Sequence, residues 1–189
     1  MYNVVLYVHV LALVYWLGGD LGTFLSSRHV LRSELGVESR QTAFNILMEC
    51  DMGPRLAMPL ILGSGFHLSS LRWPGLLPEG TALIGWLVVM VWVALVAAIH
   101  SSVGQRFPSL TQWDLRLRFA VVGGLLGVGG YAFAIGLPGW LALKITIFAT
   151  LVACGIAVRF ALKPFATAYL GMVTDGPSDE RNAAMITHM

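Results

Sequence analysis

Five histidines occur in this chain, and four of them, His9, His29, His67 and His100, fall inside or beside long apolar runs. An ionisable group placed in a bilayer costs on the order of 3 kcal/mol, so each is a functional candidate. Counting about 1.5 Å per helical residue gives their depths. His9 and His67 lie near one end of the first and second runs; His29 and His100 close the opposite ends of the first and third. Two imidazole pairs, one per leaflet, are what a transmembrane b-type cytochrome needs. Iron takes axial nitrogens from facing helices, and two stacked haems carry electrons across the bilayer. No CxxCH occurs, so covalent c-type attachment is excluded.

Two further charges stand inside apolar runs. Lys144 lies a turn and a half into the last run, where it either snorkels to the interface or neutralises a haem propionate or an acidic substrate. Asp20 follows Gly18-Gly19 in the first run. Arg55 starts the second run at about its depth, so an Asp20–Arg55 ion pair is one expectation and proton handling by Asp20 the other. The same histidines with Met58 and Met90 would also suit copper. The eight methionines form no MxxM or MxxxM ladder within a run, which disfavours a copper pathway.

The elements that must position these residues follow from composition. Of 189 residues, 57% are hydrophobic and 12% charged, about half the charge of a soluble domain. Disorder, a nucleic-acid-binding domain and a disulfide-stapled secreted module are thereby excluded. An all-α integral membrane protein remains. Cys50 and Cys154 are isolated and make no metal motif.

A hydrocarbon core of about 30 Å takes roughly 20 apolar residues in helix. Five runs qualify: Tyr2 to Leu25, Pro54 to Leu71, Ala82 to His100, Leu117 to Leu137, and Trp140 to Leu162. The first lacks a basic leader and a cleavage site and is expected to be retained. Gln41 to Cys50 reads as an interfacial amphipathic stretch ahead of the second. Trp73-Pro74-Gly75 and Leu137-Pro138-Gly139 are turn signals. Arg28, Arg32, Arg40 and Arg55 gather on the first connection, Arg106, Arg116 and Arg118 on the third, and Arg159 and Lys163 at the last helix end. The positive-inside rule then puts the N-terminus outside and the C-terminus in the cytoplasm of a bacterial inner membrane. The membrane domain is expected over 1–163 and a cytoplasmic tail over 164–189, with Ser178-Asp179-Glu180 capping a short helix. Gly123, Gly124, Gly127, Gly129 and Gly130 suit close helix packing, including a homodimer contact, or room for a flat cofactor.

Three segments resemble a known group. His9-Val-Leu-Ala-Leu-Val-Tyr-Trp16-Leu-Gly18-Gly19 is similar to the first-helix signature shared by HemJ-type protoporphyrinogen oxidases and CopD-type copper-resistance membrane proteins. Ala98-Ile-His100-Ser-Ser-Val-Gly-Gln-Arg106 resembles the HemJ third helix, which ends in a histidine and an arginine. Trp140-Leu-Ala-Leu-Lys144-Ile-Thr-Ile-Phe-Ala resembles the CopD motif with its intramembrane lysine. The resemblance implies a small helical bundle holding haem b, with His9 as a ligand. His67, Lys144 and Asp20 depart from the HemJ pattern and favour a relative that kept the haem scaffold and added a ligand from the second helix.

The expected function is therefore electron transfer or oxidoreduction with a membrane-soluble partner or porphyrin, through one or two haems b. His9 and His67 hold the first and His29 and His100 the second, while Lys144 and Asp20 assist. A protoporphyrinogen oxidase proper and a haem-free copper transporter are the rival expectations.

Overall fold

A computed structural model describes residues 1–75 and 79–188, and every regular element among them is a helix. In chain order these are α1 (Tyr2–Val30), α2 (Val37–Arg72), α3 (Thr81–Ile99), α4 (Ser102–Arg106), α5 (Leu110–Ala134), α6 (Gly139–Ala161), α7 (Lys163–Asp175) and α8 (Asp179–Thr187). They form two compact units, Met1–Ser101 and Ser102–Met189. Four helices are long and apolar enough to cross a bilayer, namely α1, α3, α5 and α6. Large apolar side chains such as Val14, Leu17, Leu87, Val91, Leu143 and Leu151 stand exposed on them, a surface suited to lipid and costly in water. The chain has the make-up of a multi-pass membrane protein.

In the first unit α2 packs against both α1 and α3. It is a single helix of 36 residues, so the stretch from Gln41 to Cys50 is its first part and not a separate interfacial segment. The helix continues because nothing breaks it before Pro54. Pro54 and Pro59 each remove one backbone donor, yet the helix runs through them to Arg72. Its central face is the most buried in the unit: Pro54, Ala57, Met58, Pro59, Ile61, Leu62, Gly63 and Ser64. From Pro54 onward Arg55, His67, Ser64, Ser69 and Ser70 dilute its apolar content, which is why α2 is not among the four apolar helices. A helix flanked by two others meets less lipid and tolerates that polarity.

Close approach sets the register of α1 on α2. A Cβ on Gly19 would collide with Pro54 Cδ and lie 2.8 Å from the Cys50 carbonyl oxygen, so only glycine allows this crossing. Beyond α1 the chain turns sharply, and Arg40 fastens the elbow. Its side chain is 1% exposed and its Nε–H donates to the Val30 carbonyl at 2.8 Å. That oxygen belongs to the last turn of α1, which has no intrahelical partner, and the positive charge complements the helix dipole there.

In the second unit α5 and α6 pair along a seam of Leu125, Gly129 and Ala132 against Leu141, Ala142, Ala149, Val152 and Ile156. Helix α5 starts at Leu110, two turns before its apolar run, because the backbone ladder extends through the polar residues that composition alone excludes. One end of the seam is tied by charge. Asp114 Oδ2 accepts from Arg118 Nε at 3.0 Å and from Arg159 Nη1 at 2.8 Å. Helices α7 and α8 pack on each other through Phe165, Tyr169, Met172 and Met185. Ser178 caps α8 as the sequence predicts, accepting from the Arg181 amide at 3.3 Å.

Candidate functional site

The first unit places His9 and His67 on adjacent helices but gives them different partners. His9, half-buried on α1, sets its Nδ1 2.8 Å from Ser64 Oγ on α2. Ser64 is fully buried, and its hydroxyl donates to the Leu60 carbonyl at 2.5 Å. The serine proton being committed there, Ser64 Oγ accepts from His9 Nδ1–H, and the lone pair of the imidazole resides on Nε2. Gly65 lies against this ring, where an added Cβ would make ordinary van der Waals contact with His9 Cε1 at 3.5 Å.

His67 has the opposite tautomer. Trp86 of α3 donates its indole N–H to His67 Nδ1 at 3.2 Å, with the rings edge to face at 6.4 Å. An indole has no acceptor, so Nδ1 carries the lone pair and Nε2 the proton. His67 stands three residues beyond Ser64, hence about 4.5 Å farther along α2. The expected pair thus lies within about a turn along the helices, with one ring engaging α2 and the other α3.

His29 and His100 resemble His9 in chemistry. His29 Nδ1 contacts the Leu25 carbonyl at 3.2 Å and His100 Nδ1 the Val96 carbonyl at 2.8 Å. A carbonyl only accepts, so both rings are protonated on Nδ1 and basic on Nε2. Each is exposed and bonded to its own helix.

A metal-ligating imidazole commonly donates its second N–H to an oxygen. His9, His29 and His100 meet that condition, and His67 in its bond to Trp86 does not. The partner of Nδ1 therefore distinguishes His9 from His67. The backbones of α1 and α2 approach closely where Gly19 meets Pro54, ten residues along α1 from His9. Among the described residues, no group of three or more histidine, cysteine or acidic side chains gathers around one point.

The charges differ from expectation. Arg55 does not pair with Asp20; it donates Nε–H to Asp51 Oδ2 at 2.6 Å, one turn back on its own helix. Asp20 instead accepts a hydrogen bond from Trp16, and Asp51 lies close enough to act on it electrostatically. The i,i+4 geometry explains the exchange, because Asp51 and Arg55 meet on one helix face without distorting the α1–α2 crossing. Lys144 is exposed on α6, off the seam with α5. Met58 is buried in α2 and Met90 exposed on α3. Gly129 faces Thr146 across the α5–α6 seam, where an added Cβ would come 2.8 Å from Oγ1. Cys50 and Cys154 are free thiols.

Ser64 and Trp86, which set the two tautomers, were not singled out in the sequence; nothing marks a helical serine or tryptophan as a histidine partner. Asp51–Arg55 and Asp114–Arg118 carried a readable signal, opposite charges four residues apart. No family model, curated protein or solved structure matches this chain.

Proposed function

We propose that this chain is a membrane haem b protein that exchanges electrons with a membrane-soluble partner, and that His9 is its iron-ligating side chain. The supporting observation is the bond from His9 Nδ1 to Ser64, which orients the ring and leaves the basic nitrogen at Nε2. Bound haem supplies one-electron oxidation and reduction. The protein's own part is to fix the imidazole through Ser64, to seat it against Gly65, and to keep water away with an apolar helix. Lys144 is the cation for an acidic substrate, and Asp20 a proton-handling carboxylate. Helix α2 is a fifth span, shielded by α1 and α3. The N-terminus lies outside and the C-terminus in the cytoplasm of a bacterial inner membrane, as the distribution of arginines favours.

The test is an optical spectrum of the purified protein, reduced minus oxidised. A sharp reduced α-band that disappears in His9→Ala and persists in His67→Gln supports the proposal. Loss of the band in His67→Gln with retention in His9→Ala overturns the ligand assignment. A colourless protein that retains copper supports the copper-transport reading instead, and turnover of a porphyrinogen supports the oxidase.

A further inference from the structure

The bond from Arg159 to Asp114 sets the start of α5 and the end of α6 side by side, and cations outnumber anions there. Arg118 and Arg159 donate to one oxygen of the buried Asp114, so two guanidinium charges share a single carboxylate. Arg159 keeps 35% of its side chain exposed, and its fork carries more N–H donors than the one Asp114 takes. Leu162, between α6 and α7, keeps helical dihedrals, so Lys163 comes about one turn beyond Arg159 on the same side. Lys163 is exposed and makes no ion pair among the described residues. Asp175, which pairs with Arg181, ends α7 about 18 Å along the helix from Lys163 and does not offset its charge.

The neighbouring rings say where these charges stand. Lys163 Nζ lies 4.7 Å from the centre of the exposed Phe160 ring, and the Arg116 guanidinium 5.0 Å from that of the exposed Trp113. Aromatic rings beside cations at a helix end suit the border of a bilayer, with the ring at the hydrocarbon edge and the charge among the headgroups. Further into α6, Val158 and Leu151 present exposed apolar surface. A ligand that meets both features carries an anion on a long apolar body. Phosphate oxygens match the fork of an arginine and the point charge of a lysine. A zwitterionic headgroup brings its own cation and gains little here, and a soluble anion leaves the apolar surface uncovered.

We infer that this end of the α5–α6 pair binds an anionic glycerophospholipid, its phosphate between Arg159 and Lys163 and its acyl chains beside Phe160. The inference rests on the reading of the chain as a membrane protein and needs neither haem nor His9.

The experiment is native mass spectrometry of the full chain in detergent, titrated with dioleoyl phosphatidylglycerol or dioleoyl phosphatidylcholine, reading the dissociation constant of the first bound lipid. Each basic residue beside an anionic headgroup contributes about fivefold in affinity, so wild type prefers phosphatidylglycerol by about tenfold or more and Lys163→Gln loses about fivefold of that preference. Lys163→Arg restores it. Arg32→Gln removes an exposed charge from the connection after α1 and leaves the preference intact. Equal binding of the two lipids by wild type, or an equal loss in Lys163→Gln and Arg32→Gln, overturns the inference, the second outcome meaning a diffuse attraction and no site. Inorganic phosphate and a polyglutamate peptide are titrated separately. Lys163-dependent binding of either, with no preference between the lipids, assigns the cations to a free anion or an acidic protein and also overturns it. Haem content, read on the same samples, reports on His9 alone, so a colourless protein that still selects phosphatidylglycerol removes haem and keeps the lipid site.

Discussion

Arg40 reaches from the first turn of α2 to the Val30 carbonyl that ends α1, a 2.8 Å bond made by a guanidinium sealed from solvent. The chain thus spends a buried positive charge on closing a turn. Its removal leaves a backbone acceptor without its partner in a buried elbow.

Arg40→Gln is expected to lower stability by about 2–3 kcal/mol, seen as a drop in the melting temperature of the purified protein. Arg40→Lys should recover little, because the donor is Nε and a lysine has no nitrogen at that point of the chain. A Gln variant that melts with wild type would show that the turn holds without the clamp.

The α1–α2 crossing gives a paired test. Gly19→Ala drives a methyl into Pro54 and the Cys50 carbonyl and should cost about 1–3 kcal/mol. Gly18→Ala, where a Cβ has open space, should be neutral or slightly stabilising. Equal melting of the two variants contradicts the register described here.

Asp114 is 4% exposed and serves two arginines through Oδ2, while its Oδ1 is buried with no hydrogen-bond partner among the described residues. Asp114→Asn strips the charge between two guanidinium groups and should destabilise by about 3–5 kcal/mol. Arg159→Met should be milder, since Arg118 still holds the carboxylate. The order of the two melting temperatures checks this; the reverse order counts against an inter-helix tie.

Lys144 is exposed and makes no ion pair among the described residues. Lys144→Met is expected to lower turnover of an acidic substrate at unchanged melting temperature, and Lys144→Arg to stay near wild type. Full activity in the Met variant would reduce the lysine to a snorkelling anchor.

The helical class and the four apolar helices could be read from composition, because lipid demands long runs that water does not tolerate. The extent of α2 could not, since its first part is polar and its middle carries two prolines; burial between neighbours, not hydropathy, sustains it. The histidines announced themselves by type, whereas their tautomers depend on Ser64 and Trp86, partners from other helices that no local pattern connects to them. Asp20 and Arg55 were matched by depth, a one-dimensional measure. The pairing of Arg55 with Asp51 depends on angle around the helix, which depth ignores.

The length of α2 has a mechanical consequence. Thirty-six residues at about 1.5 Å each make a rod of about 54 Å, against a hydrocarbon layer of about 30 Å. A membrane that holds the His67 end leaves much of the first three turns standing in the headgroups or beyond them. There the rod is riveted to the end of α1 by Arg40. Farther along the same rod come the close approach of Gly19 to Pro54 and then the Ser64–His9 bond, so three contacts at successive depths hold α2 to α1.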